Sequence, residues 1–400
     1  MSYMKTARRK TCRLCDSPQL TELFSLGNLA ISTFVNKPQK RNRNAPLELI
    51  WCENCTLVQL RHTAPQELMY SGVYWYKSGV NEKIVNDLKD IVNQGLSLVN
   101  KSDGGTWLDI GANDGTLLSF VPSNWLTLGV EPAKNLQEEL AKNCIAHTVN
   151  FWENVDTLPL ADKNGADVIT AIGMFYDSEN PNLFVSNVTK HLATDGVFIA
   201  QLMTLKPMLE KNDIGNICHE HLEYYSYSSL KYLFESNGLE IFKVEENDIN
   251  GGSYRLYARH FRNGSIDYPE NITKEDVMDF YKRLAENRDA CVSFINTANK
   301  EGKKIYGYGA STKLNTVLQW YGLPNKDLIA IGDRNPAKWG KYTVSTHVPV
   351  INESEAREEA DFFFIGPWGF TKEFEEREKE FFVKGGKFIT HTPNVRIYSK

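Results

Sequence analysis

The sequence predicts an α/β protein with two Rossmann-like units behind a small metal-binding N-terminal domain, and three observations lead to it. Two Cys-x-x-Cys pairs lie in the first 55 residues. A glycine-bearing strand–turn–helix pattern occurs after Asp109 and again after Gly307. Around both, short apolar runs alternate with helical periodicity. The chain has 400 residues, enough for two or three domains. An apolar fraction of 42% and a charged fraction of 24% exclude disorder for most of its length. Against 50 Asp and Glu stand 45 Lys and Arg, a formal charge of −5, which lacks the basic field of a nucleic-acid binder. No run reaches the roughly 18 apolar residues that a membrane-spanning helix needs. Met1–Lys10 is basic but no apolar core follows it, so a cytoplasmic location is expected, with neither membrane nor nucleic acid as partner.

The first domain is expected over residues 1–66, closed by a linker near Leu60–Glu67. Its ligand candidates are Cys12, Cys15, Cys52 and Cys55. Thiols stay reduced in the cytoplasm, so paired cysteines point to a metal rather than to disulfides. Four thiolates suit tetrahedral Zn2+ and leave no open position, which makes the site structural. A bound ion would supply folding energy that so small a core lacks. Four free cysteines in a small core are the alternative. Cys144 and Cys291 read as core residues.

The second domain is expected over residues 67–270. A strand ending at Asp109 runs into Gly111-Ala-Asn113-Asp114-Gly115 and then into a helical pattern. The next strand, Leu128–Val130, ends at Glu131, an acid placed to accept from both ribose hydroxyls of a nucleoside. Asn113 holds the second glycine position of the dinucleotide pattern. The turn fits better the acid-x-Gly-x-x-x-Gly form used for S-adenosylmethionine, which has no pyrophosphate to cradle. A plain βα turn is the alternative. Strands follow at Ala146–Val149, Asp167–Ile172 and Gly196–Gln201. A helix at Tyr227–Ser236 precedes strands Leu239–Val244 and Ser253–Arg259, joined through Asn250-Gly-Gly. A parallel sheet finished by an antiparallel strand is the class I methyltransferase layout. Ligands lie beyond the carboxyl ends of such strands, so Asp109, Glu131, Asn150, Phe151 and Gly173 should line the pocket.

The densest chemistry is Cys218-His219-Glu220-His221. Position 223 is Glu, so the His-Glu-x-x-His metalloprotease pattern fails. In an extended segment His219 and His221 share one face and Glu220 takes the other. An imidazole suits proton abstraction near neutral pH, and the neighbouring carboxylate can orient it. Tyr224 and Tyr225 are available as donors. A buried structural His pair is the alternative. Tyr74 and Tyr76 share a face if extended, and either cap the cofactor or pack one domain on the next.

The third domain is expected over residues 271–400, after a linker at Asp267–Asp276. A helix over Val277–Thr297 leads to Lys304–Tyr308, a Gly-x-Gly turn, and a helix start with Ser311 and Lys313. Further strands are expected at Ile329–Asp333, Phe362–Ile365 and Phe388–His391. The turn offers N–H groups to a phosphate, for a nucleotide or sugar nucleotide. A second redox cofactor and a purely structural turn are the alternatives.

Together these residues resemble the zinc-containing sugar C-methyltransferases that act on nucleotide-linked ketosugars. The markers are the Cys pairs, Tyr74-x-Tyr76-x-Ser78 and Asp109-Ile-Gly-Ala-Asn113-Asp114-Gly-Thr. His219-Glu220-His221, Asn250-Gly-Gly-Ser253-Tyr-Arg255 and Tyr308-Gly-Ala-Ser311-x-Lys313-x-Asn315 add to them, as does Lys341-Tyr342. The resemblance implies a zinc domain, an S-adenosylmethionine domain and a C-terminal domain of related fold, with the sugar nucleotide between the last two. It implies methylation at C3 of a dTDP- or GDP-linked 4-keto-6-deoxyhexose, by a monomer or weak oligomer. His221 would be the base, Glu220 its partner, and Tyr76 a pocket residue, with His219 and Tyr224 assisting. Asn250, Ser253, Arg255, Tyr308, Ser311, Lys313, Asn315, Lys341 and Tyr342 would hold substrate. The chain departs from the family at Cys218, where Tyr is common, and at Gly173 and Asp177, where Asn and His are common. An O- or N-methyltransferase on the same scaffold and a non-catalytic zinc or nucleotide adaptor are the rival readings.

Overall fold

The computed structural model describes residues 6–39, 42–70, 74–156, 158 and 165–400. In the middle of the chain a seven-stranded sheet forms. Its order is Leu239–Asn247, Ser253–His260, Leu192–Met203, Ala166–Ile172, Thr106–Ile110, Leu126–Val130 and Ala146–Thr148. Neighbours from Leu192–Met203 to Ala146–Thr148 pair in parallel, while Ser253–His260 runs antiparallel to both its neighbours. The reversed strand therefore sits one place in from the edge. The glycine turn leaves Thr106–Ile110, the strand beside which the order reverses, where ligands bind in such sheets.

The helix Glu82–Val99 covers one face. Asn81 caps it by accepting from the amides of Lys83 and Ile84, and Ile84, Leu88, Ile91, Val92 and Gly95 form its buried stripe. Gly95 is small for a reason. A Cβ there would meet Trp107 Cη2 at 2.5 Å, inside contact distance.

The C-terminal sheet has six strands, in the order Val350–Asn352, Ile331–Asp333, Ile305–Tyr308, Phe362–Ile365, Lys387–Thr390 and Arg396–Tyr398. All but the last pair in parallel. Val350–Asn352 and Arg396–Tyr398 escaped the sequence reading because three-residue strands carry no measurable alternation. The long helix spans Lys274–Lys300, with Thr273 and Asp276 forming a reciprocal cap.

The N-terminal domain is stitched to both larger units. Its sheet runs Leu20–Ala30, Asn44–Cys52, Val58–Leu60, and its fourth strand, Glu223–Tyr224, comes from the middle of the chain. Phe34–Val35 pairs with Tyr342–Thr343 of the C-terminal unit. One hydrophobic cluster accordingly holds Leu49 and Val58, Leu222 and Tyr224, and Phe280 and Leu314. Among the described residues no helix is long and apolar enough to cross a membrane.

Gly95→Ala tests the helix packing. Alanine gains up to about 1 kcal/mol of helix propensity, but overpacking against Trp107 costs about 1–3 kcal/mol. A net loss of stability is expected in denaturant titration, with the far-ultraviolet circular dichroism unchanged.

Candidate active site

The four cysteines converge: their Sγ atoms all lie within 4.8 Å of one another. Cys12 and Cys55 approach to 3.5 Å, as do Cys15 and Cys52. These separations are too long for a disulfide and match the edge of a tetrahedron with roughly 2.3 Å metal–sulfur bonds. Cys12 Sγ also accepts from Gln59 Nε2 at 3.1 Å and from the Leu14 amide at 3.4 Å, which suits a thiolate. The donor set fits a metal such as Zn2+.

At the carboxyl ends of the middle sheet lie two adjoining cavities, enclosing about 990 and 770 Å³ of space up to their open mouths. The smaller is bounded by Glu131, Asn150 and Phe151, with Tyr70 and Trp152. The larger holds Asp87, Asp109, Glu220, His221, Asn250, Ser253 and Lys313. Tyr74, Tyr76, Ser78, Gly111, Asn113, Gly173 and Asp177 border both. Tyr76 remains 46% exposed at the seam, open to a ligand.

Local bonding explains this layout. Gly111 and Asn113 have φ of +70° and +53°, which turn the chain sharply. The carboxylate of Glu131 accepts from the Asn113 amide at 2.9 Å and from the Ala133 amide at 2.7 Å. Two amides leave lone pairs on that carboxylate for a ligand's hydroxyls. Asn113 Oδ1 accepts from the Ser78 amide and Asp114 Oδ2 from the Gly79 amide, both at 2.9 Å, fastening the Tyr74–Ser78 segment over the turn. Asp109 is nearly fully buried; burial pushes its pKa up to about 7 against the bond from Thr170 Oγ1. Asp87 and Gln201 are bonded to each other and braced from behind by Arg255, which reaches Asp87, Asp90 and Gln201.

The His-Glu-His segment is not extended, which corrects the expectation of a shared histidine face. Bends run over Cys218–Glu220, and the His221 amide donates to the Cys218 carbonyl at 3.3 Å. His219 consequently turns away from the cavities, with Nε2 2.9 Å from the Ala45 carbonyl. His221 faces the larger cavity, packs on Tyr176 with ring centroids 4.4 Å apart, and has Nδ1 2.8 Å from the Asn216 carbonyl. A carbonyl only accepts, so Nδ1 carries the proton and Nε2 presents a lone pair. Burial and the ammonium of Lys313 hold this imidazole's pKa well below the ordinary range, against the pull of Asn216. Burial raises Glu220 to about 7, opposed by Lys313. Asp177 is pushed well above the usual carboxylate range by burial and by Glu220.

Several expected contacts lie outside both cavities. Tyr224 is buried in the strand paired with Val58. Asp114 is spent on the turn, accepting also from Thr116 at 2.6 Å. Arg255 stands behind the wall rather than on it. Tyr308 is buried in the C-terminal core, its hydroxyl 2.8 Å from Glu353 and 2.6 Å from Glu378. Ser311 caps its helix by accepting from the Leu314 amide. Asn315 donates to the Thr33 carbonyl, Lys341 to Asn36, and Tyr342 pairs with Val35, so all three hold the N-terminal domain in place. The second glycine turn is also filled. The Ala310 amide donates to Asp333 at 2.7 Å, and a Cβ on Gly309 would lie 2.7 Å from Pro367. Of that turn only Thr312 and Lys313 reach the cavity. Asp87, Gln201, Met203 and Tyr176 line it unforeseen. Gln201 and Met203 could have been found as the end of a parallel strand; Asp87 and Tyr176 carried no signal in the sequence.

Three family models match consecutive segments of the chain: a zinc binding domain over residues 12–70, a methyltransferase domain over 81–244, and a C-methyltransferase C-terminal domain over 248–393. C-methyltransferase NovU of Streptomyces niveus is 26% identical over 416 residues, covering 97% of this chain and 96% of its own length. Among solved structures, an S-adenosylmethionine-dependent methyltransferase from Clostridium acetobutylicum is 10% identical, covering 44% of this chain and 92% of that one, with a TM-score of 0.36. Magnesium protoporphyrin IX methyltransferase from Synechocystis is 11% identical, covering 44% of this chain and 79% of that one, with a TM-score of 0.34.

Glu131→Ala should weaken S-adenosylhomocysteine about 10-fold or more in isothermal calorimetry, because the turn loses its brace and the ligand a charged acceptor. Unchanged affinity would remove Glu131 from the cofactor site.

Proposed function

We propose that this chain, a zinc-binding, S-adenosylmethionine-dependent methyltransferase related to that Streptomyces C-methyltransferase, methylates C3 of a nucleotide-linked 4-keto-6-deoxyhexose. One observation carries the reading: His221 is a neutral imidazole with its proton on Nδ1 and its Nε2 without a hydrogen-bond partner among the described residues, in the cavity that adjoins the glycine turn. O- or N-methylation does not need a ketone-activated carbon. Attack by carbon does need a base, because only a carbanion equivalent is nucleophilic enough.

The methyl donor supplies an electrophilic carbon on a sulfonium. Asp87, Asp109 and Glu220 on the cavity wall are the carboxyls that can balance that positive charge. Glu131 is placed to accept from ribose hydroxyls, and Asn150 and Phe151 close the far end of the smaller cavity. On the acceptor side, His221 Nε2 removes the C3 proton, and the C–H electrons become the enolate. Tyr76 and Lys313 stand on the cavity wall as donors for the developing oxyanion. The enolate carbon then forms the C–C bond, its electron pair replacing the one that leaves with sulfur. The His221 imidazolium is disfavoured by burial and by Lys313, and Glu220, on the same cavity wall, is the carboxylate available to take up that proton. Asn250, Ser253 and Lys313 are the remaining substrate contacts. The cysteine site takes Zn2+ with four thiolates and thus has no free position for substrate. This chemistry belongs to branched deoxysugar biosynthesis in the cytoplasm.

His221→Ala or His221→Asn should lower turnover by about 10²–10⁴-fold while calorimetry finds S-adenosylhomocysteine binding preserved. Product mass and NMR on a panel of 4-ketosugar nucleotides locate the methyl group. Deuterium wash-in at C3 without donor must also vanish in these variants; wash-in that persists assigns the proton to another base.

The pH dependence follows from Glu220. Its carboxylate form predominates above its pKa of about 7, so kcat should fall as pH drops through that value. His221 stays neutral across the same range and contributes no limb there. Glu220→Gln should flatten the acid limb at a lower plateau; a limb that survives in that variant belongs to another group.

A further inference from the structure

The surroundings of the cysteine cluster reach well beyond the small domain it folds. From Cys12 the bonds run toward the base. Gln59 donates through Nε2 to Cys12 Sγ at 3.1 Å. Its Oε1 accepts from the Arg13 amide at 3.1 Å and from the Arg13 guanidinium at 3.2 Å. That guanidinium also donates to Thr63 Oγ1 at 2.7 Å and to the Leu60 carbonyl. Its Nε lies 3.5 Å from Glu223 Oε1, and both side chains are completely buried. Glu223 stands opposite Gln59 in the ladder and two residues after His221. The Leu60 amide donates to the Leu222 carbonyl, and the Leu222 amide to the Tyr176 carbonyl, each at 2.9 Å. On the other side of the bend, His219 is tied to Ala45.

Segment 217–222 has no helix or strand of its own. Its geometry is therefore set by its neighbours, and those neighbours lead back to the thiolates. We propose that the metal-loaded cysteine cluster positions His221, with Gln59, Arg13 and Glu223 as the positioning residues that link Cys12 to the base-bearing segment. This rests on His221 being the base. A metal-bound thiolate is a fixed acceptor, so it holds the Gln59 amide in one orientation and points its carbonyl at Arg13. Arg13 is then aligned with Glu223. Burial pushes the Glu223 carboxyl well above the usual carboxylate range and Arg13 opposes that shift; with no hydrogen-bond partner for its oxygens among the described residues, its placement depends on the nearby guanidinium. When the thiolate loses its anchor, Gln59 can reorient, Arg13 follows, and the Glu223–Tyr224 strand loosens its hold on His221.

Gln59→Met keeps the side-chain volume and removes all three of these hydrogen bonds. The readouts are bound zinc, S-adenosylhomocysteine affinity, amide hydrogen exchange in peptides spanning 216–224, and carbethoxylation of His221 followed by peptide mass spectrometry across pH. Zinc content and affinity should match the parent chain, exchange in 216–224 should rise about 10-fold, and His221 should modify with an apparent pKa moved up toward the ordinary imidazole value as water enters. A variant that keeps its zinc and shows parental exchange and an unshifted His221 profile overturns the proposal. If the variant does not fold, stepwise chelation of the parent chain decides: His221 modification must accelerate in step with zinc loss. Zinc loss with a constant modification rate also overturns it. None of these readouts uses turnover, so they stand apart from the deuterium wash-in that tests His221 as base.

Discussion

The pairing of Glu223–Tyr224 with Val58–Leu60 is the constraint on which the active-site geometry depends. It joins a two-residue strand from the centre of the chain to the sheet of the N-terminal domain. Few hydrogen bonds are involved, but they stand immediately after His221, in a stretch with no regular structure. Besides that ladder, the segment around the bend over Cys218–Glu220 is anchored through Asn216, Tyr176, Ala45 and Tyr70. The four thiolates, the antiparallel sheet and the apolar cluster running from Leu49 to Leu314 all support the same few peptide groups. The cysteine-bearing domain thereby helps to hold the segment that carries His221.

The cavity uses opposed electrostatic influences to keep its groups in the states the reaction requires. Burial alone would leave both the imidazole and the carboxyls uncharged. Lys313 adds a positive field that further disfavours imidazolium while drawing Glu220 toward ionisation. His221 is thus kept unprotonated while Glu220 is drawn back toward its carboxylate form. Asp177, where the resemblance leads one to expect histidine, adds a second carboxyl near Glu220, and burial together with Glu220 favours its protonated form.

Much of the fold was legible because its strands are apolar, separated by helical stretches, and ended by acids or glycines. Asp109, Glu131 and Gly173 reach the cavities because the carboxyl end of a parallel strand is a position that sequence reveals. The cysteine spacing was equally direct. Legibility failed where side-chain direction depends on distant partners. His219 and Tyr224 sit beside His221 in the chain, yet the turn and the borrowed strand send them elsewhere. The Gly307–Lys313 motif looks like a phosphate cradle, but Asp333 and Pro367 occupy it, a fact that no local pattern encodes. The resemblance implies substrate contacts at Tyr308, Asn315 and Lys341, and the structure uses them as internal ties.

The amino-terminal domain touches both neighbours through backbone ladders, at Glu223–Tyr224 on one side and at Tyr342–Thr343 on the other. It works as a cross-brace. Many two-lobed enzymes admit a bulky ligand by swinging one lobe about a hinge. Here such a swing would have to unzip two ladders and pull apart a shared oily interior at the same moment. A ligand would then reach the two cavities through local openings at their mouths rather than by a swing of one lobe.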